Sequence, residues 1–336
     1  MSKILITGAT GFIGYHLAKR LLKEGHHIYG LDNLNDYYDV TLKEARLIEL
    51  EDFEDFHYQK LDLIDKDALN TLFETHSFEY VVHLAAQAGV RYSITNPHAY
   101  TESNLIGFMN MLEAVRHHPV KHFLYASSSS VYGGNKVAPF KTEHNVDHPV
   151  SLYAATKKSN ELLAHAYAHL YNIPTTGLRF FTVYGPFGRP DMAYFSFSNA
   201  ITQGKPIKVF NHGKLERDFT YIDDVVEGIV NLLPHIPQAI KDYHEAHHSV
   251  SESFAPYKIY NIGNNKPVSL MTFIETLEKH LGQEAIKEFV DMQPGDVHTT
   301  WADVDDLETA INYKPSTPLD EGLKQFTDWY KNYYKR

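Results

Sequence analysis

The chain of 336 residues contains no cysteine, which excludes disulfide bonds, thiolate catalysis, iron–sulfur clusters and zinc ribbons. No apolar run approaches the ~18 residues that a membrane-spanning helix needs, so no membrane partner is expected. Basic residues are few, because 31 Lys and Arg stand against 42 Asp and Glu, a net charge of −11. Nucleic acid is therefore not expected as a partner, since its nonspecific binding depends on Lys and Arg that neutralise phosphates.

A targeting signal is also missing at the N-terminus, where residues 3–7 already have the pattern of a strand. We therefore expect a soluble, cytoplasmic protein. The sequence does supply 43% apolar and 13% aromatic residues. This content is enough for a substantial core, and the length fits one large domain or two modest ones.

Histidine is abundant, with 21 residues, and such a number raises the question of a metal site. Pairs such as His26–His27, His117–His118 and His247–His248 are adjacent, so their side chains diverge on a helix or strand. The sequence contains neither a His-Glu-x-x-His motif nor a facial carboxylate cluster. We expect no bound metal.

Strand-like and helical segments alternate in the first half of the chain. The predicted strands span 4–7, 27–31, 57–61, 81–84, 121–126 and 175–180. The predicted helices span 12–24, 66–75, 98–117 and 152–171. This alternation predicts an α/β fold, a doubly wound parallel sheet with helices on both faces.

After about residue 180 the rhythm is irregular, and helices are predicted at 270–281, 303–312 and 319–334. We predict a sheet domain and a smaller C-terminal α/β domain. The sheet domain is expected to comprise residues 1–180, with returning segments near 218–235 and 258–264. The smaller domain is expected to comprise mainly 181–217 and 265–336, with a polar surface excursion at 236–257.

Three glycines, Gly8, Gly11 and Gly14, lie between the first strand and the first helix, which opens at Phe12 and Ile13. Glycines at such a turn allow backbone N–H groups to approach a pyrophosphate, and the helix N-terminus faces this anion with its positive end. The position of this G-x-x-G-x-x-G sequence therefore predicts a Rossmann-type dinucleotide site.

Asp32 ends the second strand 18 residues after Gly14, where a carboxylate can accept hydrogen bonds from the adenosine ribose diol. Asn33 and the residues to position 36 include no Lys or Arg that could pair with a 2′-phosphate, so NAD is favoured over NADP. Asp62 and Leu63 close the third strand, at a position suited to contact with adenine.

Tyr153 and Lys157 lie one turn apart on a predicted helix. We expect the lysine, together with a positively charged nicotinamide, to lower the pKa of the tyrosine by about three units from 10, so that it serves as a base near pH 7. Ser128 lies in a serine run after the fifth strand, at the sheet edge where ligands bind in open α/β folds. Its hydroxyl can contact the substrate hydroxyl and relay the proton towards Tyr153.

The glycine turn, the serine-rich strand end and the Tyr153-x-x-x-Lys157 pair together resemble the extended short-chain dehydrogenase/reductase family, over essentially the whole chain. This resemblance implies a catalytic trio of Ser128, Tyr153 and Lys157 and a tightly bound NAD that is regenerated in each turnover. It also implies a homodimer formed by the helices near 98–117 and 152–171. The implied cofactor contacts further include Leu84, Ala85 and Ala86.

Within this family the sequence is most similar to UDP-glucuronate 4-epimerases, through residues 87–93, residues 180–193 and the excursion before Tyr260. The resemblance implies epimerisation of UDP-glucuronate to UDP-galacturonate, with hydride transfer to and from NAD through a 4-keto intermediate. That intermediate is a β-keto acid, so the site must hold its carboxylate away from the geometry for loss of CO₂. The expected substrate contacts are Ser128, Ser130, Thr182, Arg189, Arg217 for the diphosphate and Asp296 for the uridine ribose.

The sugar stays open among UDP-glucuronate, UDP-glucose or UDP-galactose, and a UDP-pentose, because one or two polar contacts decide it. A UDP-glucuronate decarboxylase is less expected, since Ser129 and Ser130 stand where lyases of the family carry acidic residues. A non-catalytic NAD-binding regulator is a further alternative on the same fold. For Arg217, a structural ion pair with a neighbouring aspartate is the alternative.

Overall fold

The computed structural model describes residues 1–244, 249–292 and 299–335. Its strands divide between one large parallel sheet and two small sheets. The strands are β1 Lys3–Thr7, β2 His27–Asp32, β3 Phe56–Lys60, β4 Tyr80–His83, β5 His122–Ser128, β6 Thr175–Phe180, β7 Thr182–Tyr184, β8 Pro206–Phe210, β9 Glu216–Tyr221, β10 Tyr257–Ile262, β11 Pro267–Ser269, β12 Ile286–Val290 and β13 Thr299–Thr300.

The large sheet has seven strands in the order β10-β6-β5-β4-β1-β2-β3, and all neighbouring strands are parallel. The strand order reverses between β1 and β4, which creates the crevice where ligands bind at the carboxyl ends of the strands. This arrangement confirms the predicted Rossmann-type doubly wound fold.

Helices cover both faces of the large sheet and continue into the C-terminal part of the chain. They are α1 Phe12–Lys23, α2 Val40–Glu51, α3 Lys66–Thr75, α4 Tyr92–Thr95, α5 Pro97–Tyr100, α6 Gly107–His117, α7 Leu152–Tyr171, α8 Ala193–Thr202, α9 Ile222–Leu232, α10 Leu270–Leu281, α11 Asp305–Ile311 and α12 Leu319–Tyr334. None of these helices is long and apolar enough to cross a membrane.

The core lies on both sides of the sheet, because successive residues of a strand point to opposite faces. Ile4 and Ile6 of β1 join a cluster with α1, α2 and α9, whereas Leu5 joins a second cluster with α3, α6 and α7. All residues of β6 are buried. Strands that are buried along their whole length are typical of parallel sheets covered by helices on both faces.

The two small sheets lie beyond the carboxyl end of the large one. One contains β7, β9, β11 and β13, and the other pairs β8 with β12. Thr182 of β7 follows Phe180, the last residue of β6, so the chain leaves the large sheet and enters the small one within two residues. This short connection brings β7 and β9 next to the carboxyl edge of the large sheet.

Several elements differ from the sequence predictions, and two of them lie in the first half of the chain. Helix α2 was not predicted, because the buried side of this helix carries Lys43 and Arg46 beside Leu42 and Leu50, which obscures its apolar periodicity. The predicted helix at 98–117 is instead divided into α5, a π-helical turn at Thr101–Ile106, and α6. Such turns interrupt helices at functional sites more often than elsewhere.

Candidate active site

The glycine turn between β1 and α1 is too tight for any side chain. Gly8 has a φ of +71°, and a Cβ on it would lie 2.9 Å from the backbone nitrogen of Ala85. A Cβ on Gly11 would lie 2.9 Å from the carbonyl oxygen of Gly8, and one on Gly14 would collide with that same atom. All three glycines are therefore required by close backbone approach, as the sequence predicts.

Helix α1 begins after Gly11, which gives its N-terminus no side-chain cap. The first N–H groups of a helix have no partner within the helix, so those of Phe12 and Ile13 can donate to an anion. The side chain of Phe12 is buried in the core and does not line the turn. The contribution that we predict from Phe12 therefore comes from its backbone.

Asp32 is buried at the end of β2, and its two carboxylate oxygens accept hydrogen bonds from the backbone N–H groups of Thr10 and Leu34, at 3.3 and 2.9 Å. It thus connects the glycine turn to the loop after β2. Asn33 donates to Asp62 across 2.8 Å, which joins the ends of β2 and β3. These contacts bring the predicted ribose and adenine residues together at one edge.

The sequence argument about this edge considered only residues 33–36, which contain no Lys or Arg. In the structure α2 also places Lys43 against this loop. The Lys43 ammonium donates to the carbonyl and side-chain oxygens of Asn35 at 2.7 and 2.8 Å, and burial lowers its pKa while the charge of Asp32 raises it. The cation was missed because it approaches through tertiary packing from an unpredicted helix.

The chain segment after β4 closes the other side of the turn. The backbone N–H of Leu84 donates to the carbonyl of Thr7, and that of Ala85 donates to the Thr7 hydroxyl, at 3.2 and 3.1 Å. Ala86 follows on the same loop. Leu63 is buried against Gly107 at the start of α6, where a Cβ on the glycine would lie 2.7 Å from that of Leu63.

Ser128, Tyr153 and Lys157 meet at the carboxyl edge of the large sheet. Ser128 ends β5, and Tyr153 lies in the first turn of α7, which is capped by the Ser151 hydroxyl on the N–H of Ala154. The Tyr153 phenol lies near enough to the Ser128 side chain for the two to interact. The Lys157 ammonium is buried one turn further along and donates to the carbonyl of Ala126 in β5 at 2.9 Å.

The electrostatics of this trio differ from the expectation. Burial raises the pKa of Tyr153, while its interaction with Ser128 and the charge of Arg189 lower it and the charge of Asp191 raises it. Burial thus outweighs the other protein groups, and the lowering by Lys157 together with a nicotinamide stays a prediction. Burial also lowers the pKa of Lys157 to about 8, because an ammonium is poorly solvated there.

The predicted sugar-side residues come from three different elements. Ser128 pairs in register with Phe180, so Ser130 and Thr182 both follow the ends of neighbouring strands, and both are half-buried. Arg189 lies on the loop before α8, close enough for its charge to act on Tyr153. The structure thus brings Ser130, Thr182 and Arg189 towards the catalytic trio.

Arg217 lies two residues before Phe219 on β9, and Phe219 pairs with Thr182. The Arg217 guanidinium donates to the carbonyl of Glu216 at 2.8 Å. The neighbouring Asp218 instead accepts three backbone N–H groups, from Asn264, Asn265 and Ala302, at 2.8, 3.0 and 2.9 Å. Asp296 lies outside the described residues.

A buried amide network that sequence reasoning did not assign to the site supports α7. Asn104, in the π-helical turn, accepts from the N–H of Gln87 at 2.8 Å and donates to the carbonyl of Gln87 and to the Thr156 hydroxyl. Asn160 donates to the Asn104 carbonyl at 2.6 Å. The π-helical turn thus joins the loop after β4 to the helix of Tyr153. Its one sequence signal is an asparagine within a helical stretch.

A buried ion pair lies beneath the same edge. The Arg179 guanidinium of β6 donates to both carboxylate oxygens of Glu161 of α7 at 2.8 and 2.9 Å, and both side chains are about 1–2% exposed. Ser127, next to Ser128, donates to the same carboxylate at 2.7 Å. The carboxylate therefore fixes β5, β6 and α7 relative to one another.

Metal is not suggested by the side-chain clusters, since no group of three His, Asp or Glu among the described residues could hold an ion. His83 is typical of the buried histidines. Its ring nitrogen lies 2.9 Å from the Thr7 hydroxyl, and burial lowers its pKa to about 3. This side chain is a neutral part of the core.

Comparison with known proteins now assigns a family. The model of the NAD dependent epimerase/dehydratase family matches residues 4–263. The chain belongs to this family. The match covers the large sheet, the glycine turn and the Ser128, Tyr153 and Lys157 cluster, and it confirms the resemblance to nucleotide-sugar enzymes that the motifs carry.

Similar proteins cover the whole chain. Protein CapI of Staphylococcus aureus is 56% identical over 334 residues, which are 99% of this chain and 100% of that protein. A probable UDP-glucuronate 4-epimerase of Rhizobium meliloti is 49% identical over 337 residues, with coverage of 99% and 98%. A similar solved structure is the crystal structure of UDP-glucuronic acid 4-epimerase from Bacillus cereus in complex with UDP-glucuronic acid and NAD. Its sequence is 36% identical and its TM-score is 0.85, and the match covers 99% of this chain and 100% of that one.

The residues of the glycine turn fit the cofactor that this family's description names. The turn is a cradle that Cβ atoms would fill, and the uncapped start of α1 presents N–H groups to a pyrophosphate. Asp32 supplies the carboxylate for a ribose diol. The donor set and its spacing therefore suit a dinucleotide.

Proposed function

We propose that this chain is an NAD-dependent UDP-glucuronate 4-epimerase, an isomerase that interconverts UDP-glucuronate and UDP-galacturonate. One observation carries the proposal: Tyr153 interacts with the Ser128 side chain at the carboxyl edge of the sheet, one turn from buried Lys157. The chain is 49% identical to a probable UDP-glucuronate 4-epimerase over 99% of its length. This degree of similarity favours the same substrate.

In this proposal the residues at the switch point of the sheet would hold the cofactor. A bound NAD would supply a hydride acceptor and donor for C4 of the sugar, and its positive charge would favour ionisation of a nearby phenol. The protein holds it through backbone N–H groups and a small set of side chains. These residues are Gly8, Gly11, Phe12, Ile13, Gly14, Asp32, Asn33, Asp62, Leu63, Leu84, Ala85, Ala86, Tyr153 and Lys157.

Tyr153 acts as the base that takes the proton from the sugar 4-hydroxyl and gives it back when the ketone is reduced. Ser128 donates to the sugar oxygen and, through its interaction with Tyr153, helps to orient the phenol. Lys157, anchored on the Ala126 carbonyl, supplies a positive charge behind the phenol. Charge of this kind favours the phenolate, because opposite charges at short range stabilise each other in a poorly solvated site.

The carboxylate at C5 of the sugar needs separate control, because a 4-keto uronate is a β-keto acid. We assign this control to Ser130, Thr182 and Arg189, which come from the ends of β5 and β6 and the loop before α8. Two hydroxyls and a guanidinium can hold a carboxylate in a fixed plane. In the proposed site this plane is kept away from the orientation that breaks the bond to CO₂.

The diphosphate and the uridine lie towards the small sheet. We assign Arg217 to the diphosphate, because its guanidinium suits phosphate oxygens and β9 lies beside β7. Asp296 is proposed for the uridine ribose. In this division NAD is bound by residues 1–180 together with segments near 218–235 and 258–264. The nucleotide sugar is bound mainly by residues 181–217 and 265–336, and residues 236–257 form a surface excursion.

We propose that the protein forms a homodimer through α6 and α7 and the π-helical turn between α5 and α6. An apolar groove of about 580 Å³ lies between these helices, and within it Ile106 and Leu162 are 48% and 60% exposed. The groove is lined by Leu105, Ile106, Met109, Asn110, Ser159, Leu162 and Leu163. Light scattering after size exclusion tests this assembly, and a Leu162→Glu variant is expected to elute as a monomer.

A cytoplasmic location is proposed from the absence of cysteine and from the cofactor class. Fractionation of cells that express the tagged full chain tests it, with recovery in the membrane pellet as the contrary result.

Incubation of the purified protein with UDP-glucuronate, without added NAD, is the deciding experiment. The expected product is UDP-galacturonate, separated by anion-exchange chromatography. A UDP-pentose with release of CO₂ would identify a decarboxylase, and turnover of UDP-glucose or a UDP-pentose in place of UDP-glucuronate would identify a different 4-epimerase. No turnover on this panel, with NAD still bound, would favour a non-catalytic protein.

A further inference from the structure

Arg189 is paired with a carboxylate of its own loop. Its Nε and Nη2 lie 3.0 and 2.5 Å from the two carboxylate oxygens of Asp191, and the two side chains are 24% and 29% exposed. The pair is two-pronged, a geometry that fixes the plane of a guanidinium as well as its position. An ion pair between mobile surface side chains does not usually fix this geometry, because other contacts must first restrict the conformation of each side chain.

Asp191 is itself held by a second loop. The Tyr37 hydroxyl, from the segment after β2, donates to an oxygen of Asp191 at 3.2 Å, and the Tyr37 ring packs on Tyr92 with centroids 4.8 Å apart. A side chain on Gly89, which has a φ of +100°, would collide with the Tyr37 hydroxyl. Segments that follow β2, β4 and β7 thus converge on one ion pair.

This cluster faces the reaction centre. The charges of both Arg189 and Asp191 act on Tyr153, whose ring lies 6.0 Å from that of Tyr100. Tyr100 in turn donates to the carbonyl of Gly89 and to that of Ala88. A pair that served only to close its own loop would not need contacts with two other loops beside the catalytic tyrosine.

The geometry of the pair leaves part of the guanidinium for another ligand. Arginine carries five N–H donors, and Asp191 engages the edge formed by Nε and Nη2. The donors on Nη1 lie on the other edge. A second carboxylate can use that edge while the first one stays bound, and it then meets a guanidinium that is already aligned.

We propose that Asp191, held by Tyr37, is a positioning residue that aligns Arg189 for the sugar carboxylate and thereby sets the preference for a uronate over a neutral hexose. This inference rests on the proposed function. A hydroxymethyl group in place of the carboxylate cannot make a two-pronged, charge-assisted contact with Arg189, so alignment of the guanidinium favours the uronate selectively.

The experiment measures binding without turnover. In the NAD-loaded Tyr153→Phe protein, Asp191→Asn is introduced, and the dissociation constants of UDP-glucuronate and UDP-glucose are measured by calorimetry. We expect the affinity for UDP-glucuronate to fall about tenfold and that for UDP-glucose to change less than twofold. In the protein that keeps Tyr153, Asp191→Asn is expected to raise the share of UDP-pentose and CO₂ among the products, because a carboxylate held less firmly reaches the orientation for its loss.

Tyr37→Phe keeps the ring packing and removes only the hydroxyl, so it should change the ratio of the UDP-glucuronate and UDP-glucose dissociation constants about threefold. This variant replaces Asp191→Asn in the experiment if the latter does not fold. Asp328→Asn, which breaks an exposed pair with Lys324 on α12, is the matched control and should leave the ratio unchanged. An unchanged ratio in both site variants, or tighter binding of UDP-glucuronate, would overturn the inference. Failure of the proposed function is distinguishable, because the parent protein itself would then lack both a preference for UDP-glucuronate and epimerase activity.

Discussion

The two sides of the crevice are built by different means. The cofactor side consists of backbone groups in close contact, and a Cβ on Gly8 would lie only 2.9 Å from the backbone nitrogen of Ala85. The sugar side depends on pairs of charged side chains, Arg189 with Asp191 on the loop before α8 and Arg179 with Glu161 beneath the sheet edge. Backbone contacts tolerate no added atom, whereas paired charges tolerate no missing partner. The two sides should therefore fail in different ways.

The largest effect is expected from Tyr153→Phe, which removes the proposed base. Turnover of UDP-glucuronate should fall about 10³-fold or more, because general acid–base catalysis by one group contributes on the order of 10²–10⁴. The bound NAD, measured after denaturation, should stay within twofold of the parent protein. Near-normal turnover would remove Tyr153 from the mechanism, and loss of NAD would show that the two sides of the crevice are not separable.

Glu161→Gln tests the charged support beneath the catalytic edge. The variant leaves the Arg179 guanidinium buried without its carboxylate, and loss of one partner of a buried ion pair costs about 3–5 kcal/mol. Denaturant unfolding followed by circular dichroism should show this loss. The exposed pair Lys324–Asp328 provides the control, since Asp328→Asn should change the free energy of unfolding by no more than about 0.5 kcal/mol. Equal effects of the two variants would contradict the role of the buried pair.

Gly14→Ala tests the cofactor side, where a single methyl group would collide with the Gly8 carbonyl. We expect the NAD content of the purified protein to fall more than tenfold, because the turn must open to admit the methyl group. Gly134→Ala is the matched control, since no atom lies within 4 Å of a Cβ at that position. A Gly14→Ala protein that retains a full complement of NAD would show that this turn is not the cradle.

The smallest expected effect concerns the pH dependence of stability. Burial lowers the pKa of Lys157 to about 8 in the folded protein, below the usual value of 10.5, so the unfolded chain binds this proton more tightly. The free energy of unfolding should therefore rise as the pH increases from about 8 to 10.5, where the folded protein has released the proton and the unfolded chain still holds it.

Lys157→Met should remove this part of the rise. Unfolding of the protein and the variant by urea at pH 8 and pH 10 measures the difference, which is expected to reach about 3 kcal/mol at most. A difference between the two proteins that does not change over this range would contradict a lowered pKa for Lys157.

Local sequence patterns identified the cofactor side well. The glycine spacing, the strand before it and the helix after it are neighbours along the chain, so their geometry follows from the turn itself. Asp32 was also predicted correctly as the end of β2, because alternation and strand length fix it. Lys43 was missed because it reaches Asn35 from a helix whose buried face is partly charged.

The sugar side was predicted from resemblance for its residue types, but not for its contacts. Arg189 was a candidate, yet its partner Asp191 is held by a hydrogen bond from Tyr37, 154 residues away along the chain. The pKa of Tyr153 was expected to be lowered by Lys157 together with a nicotinamide, whereas burial raises it among the protein groups. Burial and charge at a site depend on everything packed around it, which a local pattern does not contain.

The sequence by itself determined the α/β class, the dinucleotide turn and the order of the catalytic trio, because each of these depends on residues close together along the chain. Only the tertiary structure decided which charges meet at the catalytic edge, how α2 approaches the ribose site and how the π-helical turn holds α7. The physical reason is that solvation, pairing and close packing are properties of the folded surroundings, and these are assembled from separate segments of the chain, such as those of Tyr37 and Asp191, 154 residues apart.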